Sequence, residues 1–144
     1  MNILNLARTP TITQTPSETV LEAAKIMSDQ DAGAVIVTNT AGNVVGIFTE
    51  RDNLRKITAR GLDPRQTVLG DVMSRPVVTA SVNTSPQDAL TLMFRNKIRH
   101  LPIVDAANCL LGVLSLRHAL MRRVGEQQVN LETLAAYVTA GGPG

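Results

Sequence analysis

The sequence predicts an α/β (α+β) protein made of two copies of one β-α-β-β-α unit, and three observations carry that prediction. An offset of 66 residues aligns residues 10–54 with 76–120 without a gap, and self-similarity at a fixed period marks a repeated supersecondary unit. In that register Pro10, Thr13, Ala23, Met27, Ala41, Gly46, Arg51 and Leu54 meet identical residues at Pro76, Thr79, Ala89, Met93, Ala107, Gly112, Arg117 and Leu120. Each copy also runs an apolar stretch through a glycine to a hydroxyl residue followed by helix formers. These stretches are Gly46-Ile47-Phe48-Thr49-Glu50-Arg51-Asp52 and Gly112-Val113-Leu114-Ser115-Leu116-Arg117-His118.

Taken in order, each copy opens with a short extended piece, Thr11-Ile12-Thr13 or Val77-Val78-Thr79. A helix start follows: Thr19 with Glu22, and Ser85 with Asp88, have capping-box spacing, and Pro86 takes the first helical position, where its missing N–H costs nothing. The helices present Val20, Ala23, Ala24 and Met27, and Ala89, Leu90, Leu92 and Met93, on one side, as core faces. A strand comes next, 34–37 or 101–104, then a turn over 39–43 or 105–108, then the strand that ends in the glycine motif. A second helix, 49–56 or 115–123, closes each unit. The apolar faces of two such small sheets need covering, and the expectation is that they cover one another.

Residues 57–67 read as a polar connection in which Gly61 ends a helix and Pro64 prevents its restart. Ile3-Leu4 and Val68-Leu69 read as lead-in turns at the head of each repeat. The expected division is therefore 1–66 for the first repeat with its linker, 67–124 for the second, and 125–144 for a C-terminal helix and tail. That helix is expected from Asn130, with Leu131, Leu134, Ala135 and Val138 on one face, and Gly141 to Gly144 as a frayed end.

Composition narrows the function classes. Hydrophobic residues make up 44% of the 144, enough for a core, but aromatics are only 2%, so that core is aliphatic. Fourteen Lys and Arg against twelve Asp and Glu leave a net charge of +2, too mild a balance to argue for nucleic acid. Arg51, Arg55 and Lys56, and Arg117 and Arg122, recur on the closing helices, but such a series reads as solvated surface, and the chain lacks the aromatics on which single strands stack. The single cysteine, Cys109, has no partner for a disulfide, which fits a reducing compartment. No apolar run approaches the roughly 18 residues of a membrane span, and no secretory layout opens the chain. The expectation is a soluble, cytoplasmic protein that does not engage a membrane. No nucleophile–base motif, metal-spaced His or Cys set, or P-loop is present in the sequence, so no enzyme, catalytic residue, metal or catalytic cofactor is expected.

The glycine motif admits two readings. A helix start offers unpaired N–H groups and the positive end of the helix dipole to an anion, with Thr49 adding a hydroxyl and Asp52 an acceptor one turn on, an arrangement suited to a phosphate beside a ribose. Thr49 and Asp52 also have the spacing of a capping box, which requires no ligand.

On Gly46 to Asp52, the run Arg99-His100-Leu101-Pro102-Ile103-Val104 and the opening Asp71-Val72-Met73-Ser74-Arg75-Pro76-Val77-Val78-Thr79, the repeat resembles the cystathionine-β-synthase (CBS) domain. The whole chain, over about residues 3–123, resembles a stand-alone bacterial-type tandem pair, or Bateman module. The resemblance implies two clefts between paired sheets that bind adenosine-containing ligands such as AMP, ADP, ATP or S-adenosylmethionine, with the hydroxyl on phosphate and the aspartate on the ribose. It assigns one cleft to Gly46, Thr49, Asp52, Val77, Val78, Ile98 and Arg99. The other takes Thr11, Ile12, Ala32, Gly33, Gly112, Ser115 and His118, and departs from the pattern because His118 replaces the aspartate and Gly33 stands where Arg99 does. A carboxylate can accept from both ribose hydroxyls, whereas a neutral imidazole has one acceptor, so the first cleft is complete and the second weaker. The implied role is a regulatory sensor acting on an unknown protein partner, usually as a homodimer. The alternative is a structural dimerisation module without ligand, and a nucleic-acid binder ranks below both.

Overall fold

The structure is a computed structural model that describes residues 2–9 and 11–125. Pro10, the helix expected from Asn130 and the tail from Gly141 lie outside these residues. Two compact units form among the described residues: one contains Thr11–Val77 with Ala107–Leu110, the other residues 2–9, Val78–Ala106 and residues 111–125.

In the first unit β1 (Thr13–Gln14) pairs parallel to β2 (Ala34–Thr38), which pairs antiparallel to β3 (Val44–Thr49). Helix α1 (Val20–Gln30) connects β1 to β2. Its start is the expected capping box, with Thr19 accepting from the Glu22 N–H and Glu22 returning to the Thr19 N–H. Val20, Ala23 and Met27 of α1 pack with Val35, Val37 and Phe48 of the sheet, closed by Ile57 and Leu69. β2 lies between its two neighbours and is buried from Val35 to Thr38, while β3 alternates buried and half-buried residues with its face.

The second unit repeats the plan: β4 (Ala80–Ser81) parallel to β5 (His100–Val104), β6 (Leu110–Ser115) beside β5, α4 (Pro86–Asn96) joining β4 to β5, and α5 (Leu116–Gly125) after β6. Ser85 caps α4 by accepting from the Asp88 N–H, and Pro86 sits in the first turn. Ala89, Leu90 and Met93 enter the core with Leu101, Ile103 and Leu114. The extended pieces at the head of each copy form strand pairs one to three residues later than expected, at β1 and β4.

The 66-residue register is visible in backbone detail that composition does not show. α1 and α4 end on left-handed residues at equivalent positions, Asp31 (φ 51) and Lys97 (φ 54), whose N–H groups reach back to the Met27 and Met93 carbonyls. The turns use left-handed Gly42 (φ 83) and Asn108 (φ 64), again 66 apart. Such turn positions favour Gly and Asn, but nothing in the sequence marks Lys97.

Each lead-in segment packs in the unit of the other repeat. The 3-10 turn Ile3–Leu6 places Ile3 and Leu6 in the core of the second unit, and Arg8 bridges Val113 of β6 through N···O distances of 2.8 and 3.3 Å. Helix α3 (Leu69–Val72) places Leu69 in the core of the first unit, and Ser74 bridges Ile47 of β3 at 2.8 and 3.1 Å. Backbone groups on the outer edges of β3 and β6 thereby gain partners they would otherwise lack. The motif glycines make room for this. A Cβ on Gly46 would lie 2.3 Å from Met73 Sδ, and one on Gly112 would lie 3.1–3.3 Å from Leu4, Ala7 and Thr9.

The helix after β3 departs from expectation. Only Glu50–Asp52 (α2) is α-helical, and Asn53–Thr58 continues as a π-helix, with the Ala59 and Leu62 N–H groups reaching the carbonyls of Leu54 and Ile57, five residues back. The wider turn separates Leu54 and Ile57, which α-helical spacing would place on one face. Ile57 is buried and Leu54 is 61% exposed. Gly61 then ends the turn in the left-handed region (φ 69), as its sequence position implied.

Candidate functional site

Both readings of Gly46 to Asp52 meet in the first unit, and the capping box is present. Thr49 Oγ1 accepts from the Asp52 N–H at 3.1 Å, and the Thr49 N–H donates to Asp52 Oδ2 at 3.0 Å. The Glu50 N–H donates to the Gly33 carbonyl at 3.0 Å. The N–H groups of Thr49, Glu50 and Asp52 are therefore already satisfied at this short helix start.

Asp52 has further partners. Ser74 Oγ donates to Asp52 Oδ1 at 3.1 Å, and Lys56 Nζ lies 3.4 Å from the same oxygen. Lys56 also donates to the Val72 carbonyl at 2.8 Å and to Ser74 Oγ at 3.0 Å. The carboxylate side chain is 14% exposed, and that of Lys56 is 30% exposed. Lys56, read from the sequence as part of a solvated basic face, instead clips the π-helix to the lead-in segment 72–74. Its spacing from Asp52, one helical turn, was a legible signal, whereas Ser74, 22 residues away, left none.

The second unit repeats the architecture without the carboxylate. Ser115 Oγ accepts from the His118 N–H at a long 3.4 Å, the Leu116 N–H donates to the Arg99 carbonyl at 2.9 Å, and the His118 side chain is exposed.

The two expected residue sets are distributed over both units. Gly46, Thr49, Asp52 and Val77 belong to the first, and Val78, Ile98 and Arg99 to the second; of the other set, Thr11, Ile12, Ala32 and Gly33 belong to the first, and Gly112, Ser115 and His118 to the second. Val77, Val78, Ile98 and Arg99 are half-buried, as are Thr11, Ile12, Ala32 and Gly33. Burial, and then the positive charge of Arg99, pulls the neighbouring His100 down to about 4. His100 is therefore neutral at pH 7 and offers no positive charge to a phosphate.

Among the described residues no group of three or more His, Cys, Asp or Glu could hold a metal, and no helix is long and apolar enough to cross a membrane.

The family model of the CBS domain matches this chain twice, over residues 5–57 and 69–125. An uncharacterised protein of Methanopyrus kandleri, MK0525, is 34% identical over 120 residues, which are 83% of this chain and 61% of that one. This chain thus spans about three fifths of that relative. The CBS domain-containing protein YhcV of Bacillus subtilis is 40% identical over 108 residues, 75% of each chain. Two solved structures share the fold at lower identity. The CBS domain pair of MJ0100, in complex with 5′-methylthioadenosine and S-adenosyl-L-methionine, superimposes with a TM-score of 0.78 at 23% identity, covering 88% of this chain and 98% of that one. CBSX2, in complex with AMP, gives 0.73 at 21% identity with the same coverage. The sequence register, the duplicated β-α-β-β-α units and the family match over most of the described residues agree: the chain belongs to the CBS-domain family, as a tandem pair.

Proposed function

We propose that this protein is a non-enzymatic regulatory module that binds an adenosine-containing ligand (AMP, ADP, ATP or S-adenosylmethionine) through Gly46, Thr49 and Asp52, and passes the ligand state to a protein partner. The observation that carries this reading is the asymmetry of the two units. A carboxylate is held beside a hydroxyl at the helix head in one, and an exposed histidine stands in its place in the other. A carboxylate suits the two hydroxyls of a ribose, and a threonine hydroxyl suits a phosphate oxygen. The adenosine ligands of MJ0100 and CBSX2 are the chemistry this arrangement suits. Val77, Val78, Ile98 and Arg99 remain assigned to the same ligand by the family resemblance alone. Thr11, Ile12, Ala32, Gly33, Gly112, Ser115 and His118 form the weaker set.

A thermal-shift panel of adenosine compounds tests this. A ligand that binds only the folded state adds RT ln(1 + [L]/Kd), about 2.7 kcal/mol at a hundredfold excess over Kd. At least one adenosine compound is expected to raise the melting temperature. A flat panel would favour a purely structural dimerisation module.

We also assign the chain to a homodimer of C2 symmetry, the commonest closed form, because Leu54, Phe94 and Met121 of its helices stand 61%, 39% and 67% exposed. Light scattering at micromolar concentration is expected to give twice the chain mass, and a monomer mass would remove the assignment.

A further inference from the structure

Asp52 does not present a free carboxylate. Oδ2 takes the Thr49 N–H at 3.0 Å, and Oδ1 takes the Ser74 hydroxyl at 3.1 Å with the Lys56 ammonium at 3.4 Å. A carboxylate offers about four acceptor positions, and three are engaged. A ribose presents two hydroxyl donors, so it cannot seat both on Asp52 without displacing one of these partners. The Thr49 N–H is fixed by the capping box. The displaceable partners are therefore Ser74 and Lys56, and they are coupled, because Lys56 Nζ donates to Ser74 Oγ at 3.0 Å while Ser74 donates to Asp52.

We infer that Lys56 and Ser74 form a latch that competes with the ribose for Asp52 and so sets the affinity of that site. The inference rests on the adenosine reading above. When a diol takes Oδ1, the Ser74 hydroxyl loses its acceptor and Lys56 loses its carboxylate partner. Lys56 keeps the Val72 carbonyl at 2.8 Å, so the change is delivered to the segment 72–74, where Met73 fills the space beside Gly46 and Ser74 bridges Ile47. The latch belongs to one unit only. Sixty-six residues from Asp52 and Lys56 stand His118 and Arg122, and 66 before Ser74 stands Arg8, a trio without a carboxylate or a hydroxyl.

Calorimetric titration of the parent, Ser74→Ala and Lys56→Met with AMP, S-adenosylmethionine and 2′,3′-dideoxy-AMP tests the latch, with melting curves to establish that each variant is folded. Each substitution removes one competitor, and one hydrogen bond of ordinary net strength corresponds to about fivefold in affinity. Ser74→Ala and Lys56→Met are expected to bind AMP or S-adenosylmethionine about fivefold more tightly than the parent by that measure, with no gain for the dideoxy compound, which has no diol to seat. A merely structural role predicts lower melting temperatures without tighter binding. If the parent binds and both variants bind equally or more weakly, the latch is overturned and the ligand reading stands. A gain that persists with the dideoxy compound also overturns it. If neither parent nor variants bind any of the three probes, the ligand reading fails and the latch falls with it. Binding by the variants alone supports both.

Discussion

Asp52→Ala is expected to abolish the tighter adenosine-binding event. Without the carboxylate both ribose hydroxyls lose their acceptor, and two unsatisfied groups at about 1–3 kcal/mol each correspond to a loss of roughly thirtyfold or more. Stability falls as well, by about 1–3 kcal/mol, because the Thr49 N–H, the Ser74 hydroxyl and the Lys56 ammonium lose their shared partner. Asp52→Asn separates the two effects. An amide oxygen can still accept from the Thr49 N–H, so the cap's share of the stability remains, but the amide NH2 then faces Ser74 and Lys56, and with its single acceptor oxygen taken nucleotide affinity falls. His118→Ala, at the exposed equivalent position, is expected to change little in either. Titration calorimetry alongside thermal melts distinguishes the cases, and the ligand assignment fails if Asp52→Ala binds adenosine compounds like the parent.

Gly46→Val is expected to cost about 3 kcal/mol, near the upper end for inserting bulk into a packed core, and to lower the melting temperature by about 10 °C. A Cβ at this position would fall 2.3 Å from Met73 Sδ, 2.7 Å from its Cγ and 3.1 Å from its Cβ. Met73 packs against the core of this unit on a segment held against β3 by the Ile47–Ser74 bridge, so its Sδ and Cγ, the atoms that alanine would remove, can yield only by giving up that packing. The cause is checked with a double-mutant cycle of Gly46→Ala and Met73→Ala. If the clash with Met73 is the origin, the double variant is more stable than the sum of the single losses predicts. Strict additivity would place the strain elsewhere. Gly112→Ala is expected to be milder, since its nearest neighbours begin at 3.1 Å. Gly46 is thus explained by close approach of the lead-in segment, without any requirement that a ligand touch it.

Local order was legible because local rules govern it. The capping pairs Thr19–Glu22 and Thr49–Asp52, the Ser85 cap with Pro86 in the first turn, and the glycine at 61 act over a few residues, and each appears where its spacing placed it. The same range limit explains the failures. Periodicity alone made 49–56 an α-helix, but burial of Ile57 and the reach of Lys56 to the Val72 carbonyl accompany a π-turn there, and both depend on residues that arrive from elsewhere in the chain. The left-handed cap at Lys97 has no glycine to announce it. Sequence identified the two readings of Asp52 but could not find its latch, because Ser74 meets it from 22 residues away.

By itself, then, the sequence determined the duplication, the order of elements in each copy, the caps, and the asymmetry between Asp52 and His118, because a repeat register and residue chemistry are properties of the chain as written. Only the tertiary structure decided that each lead-in packs in the other repeat's unit and that Met73 occupies the space left by Gly46. It alone decided that Asp52 is held by Lys56 and Ser74. These are contacts across long sequence separations, set by which apolar surfaces and unpaired strand edges come together on folding, and no window of neighbouring residues contains them.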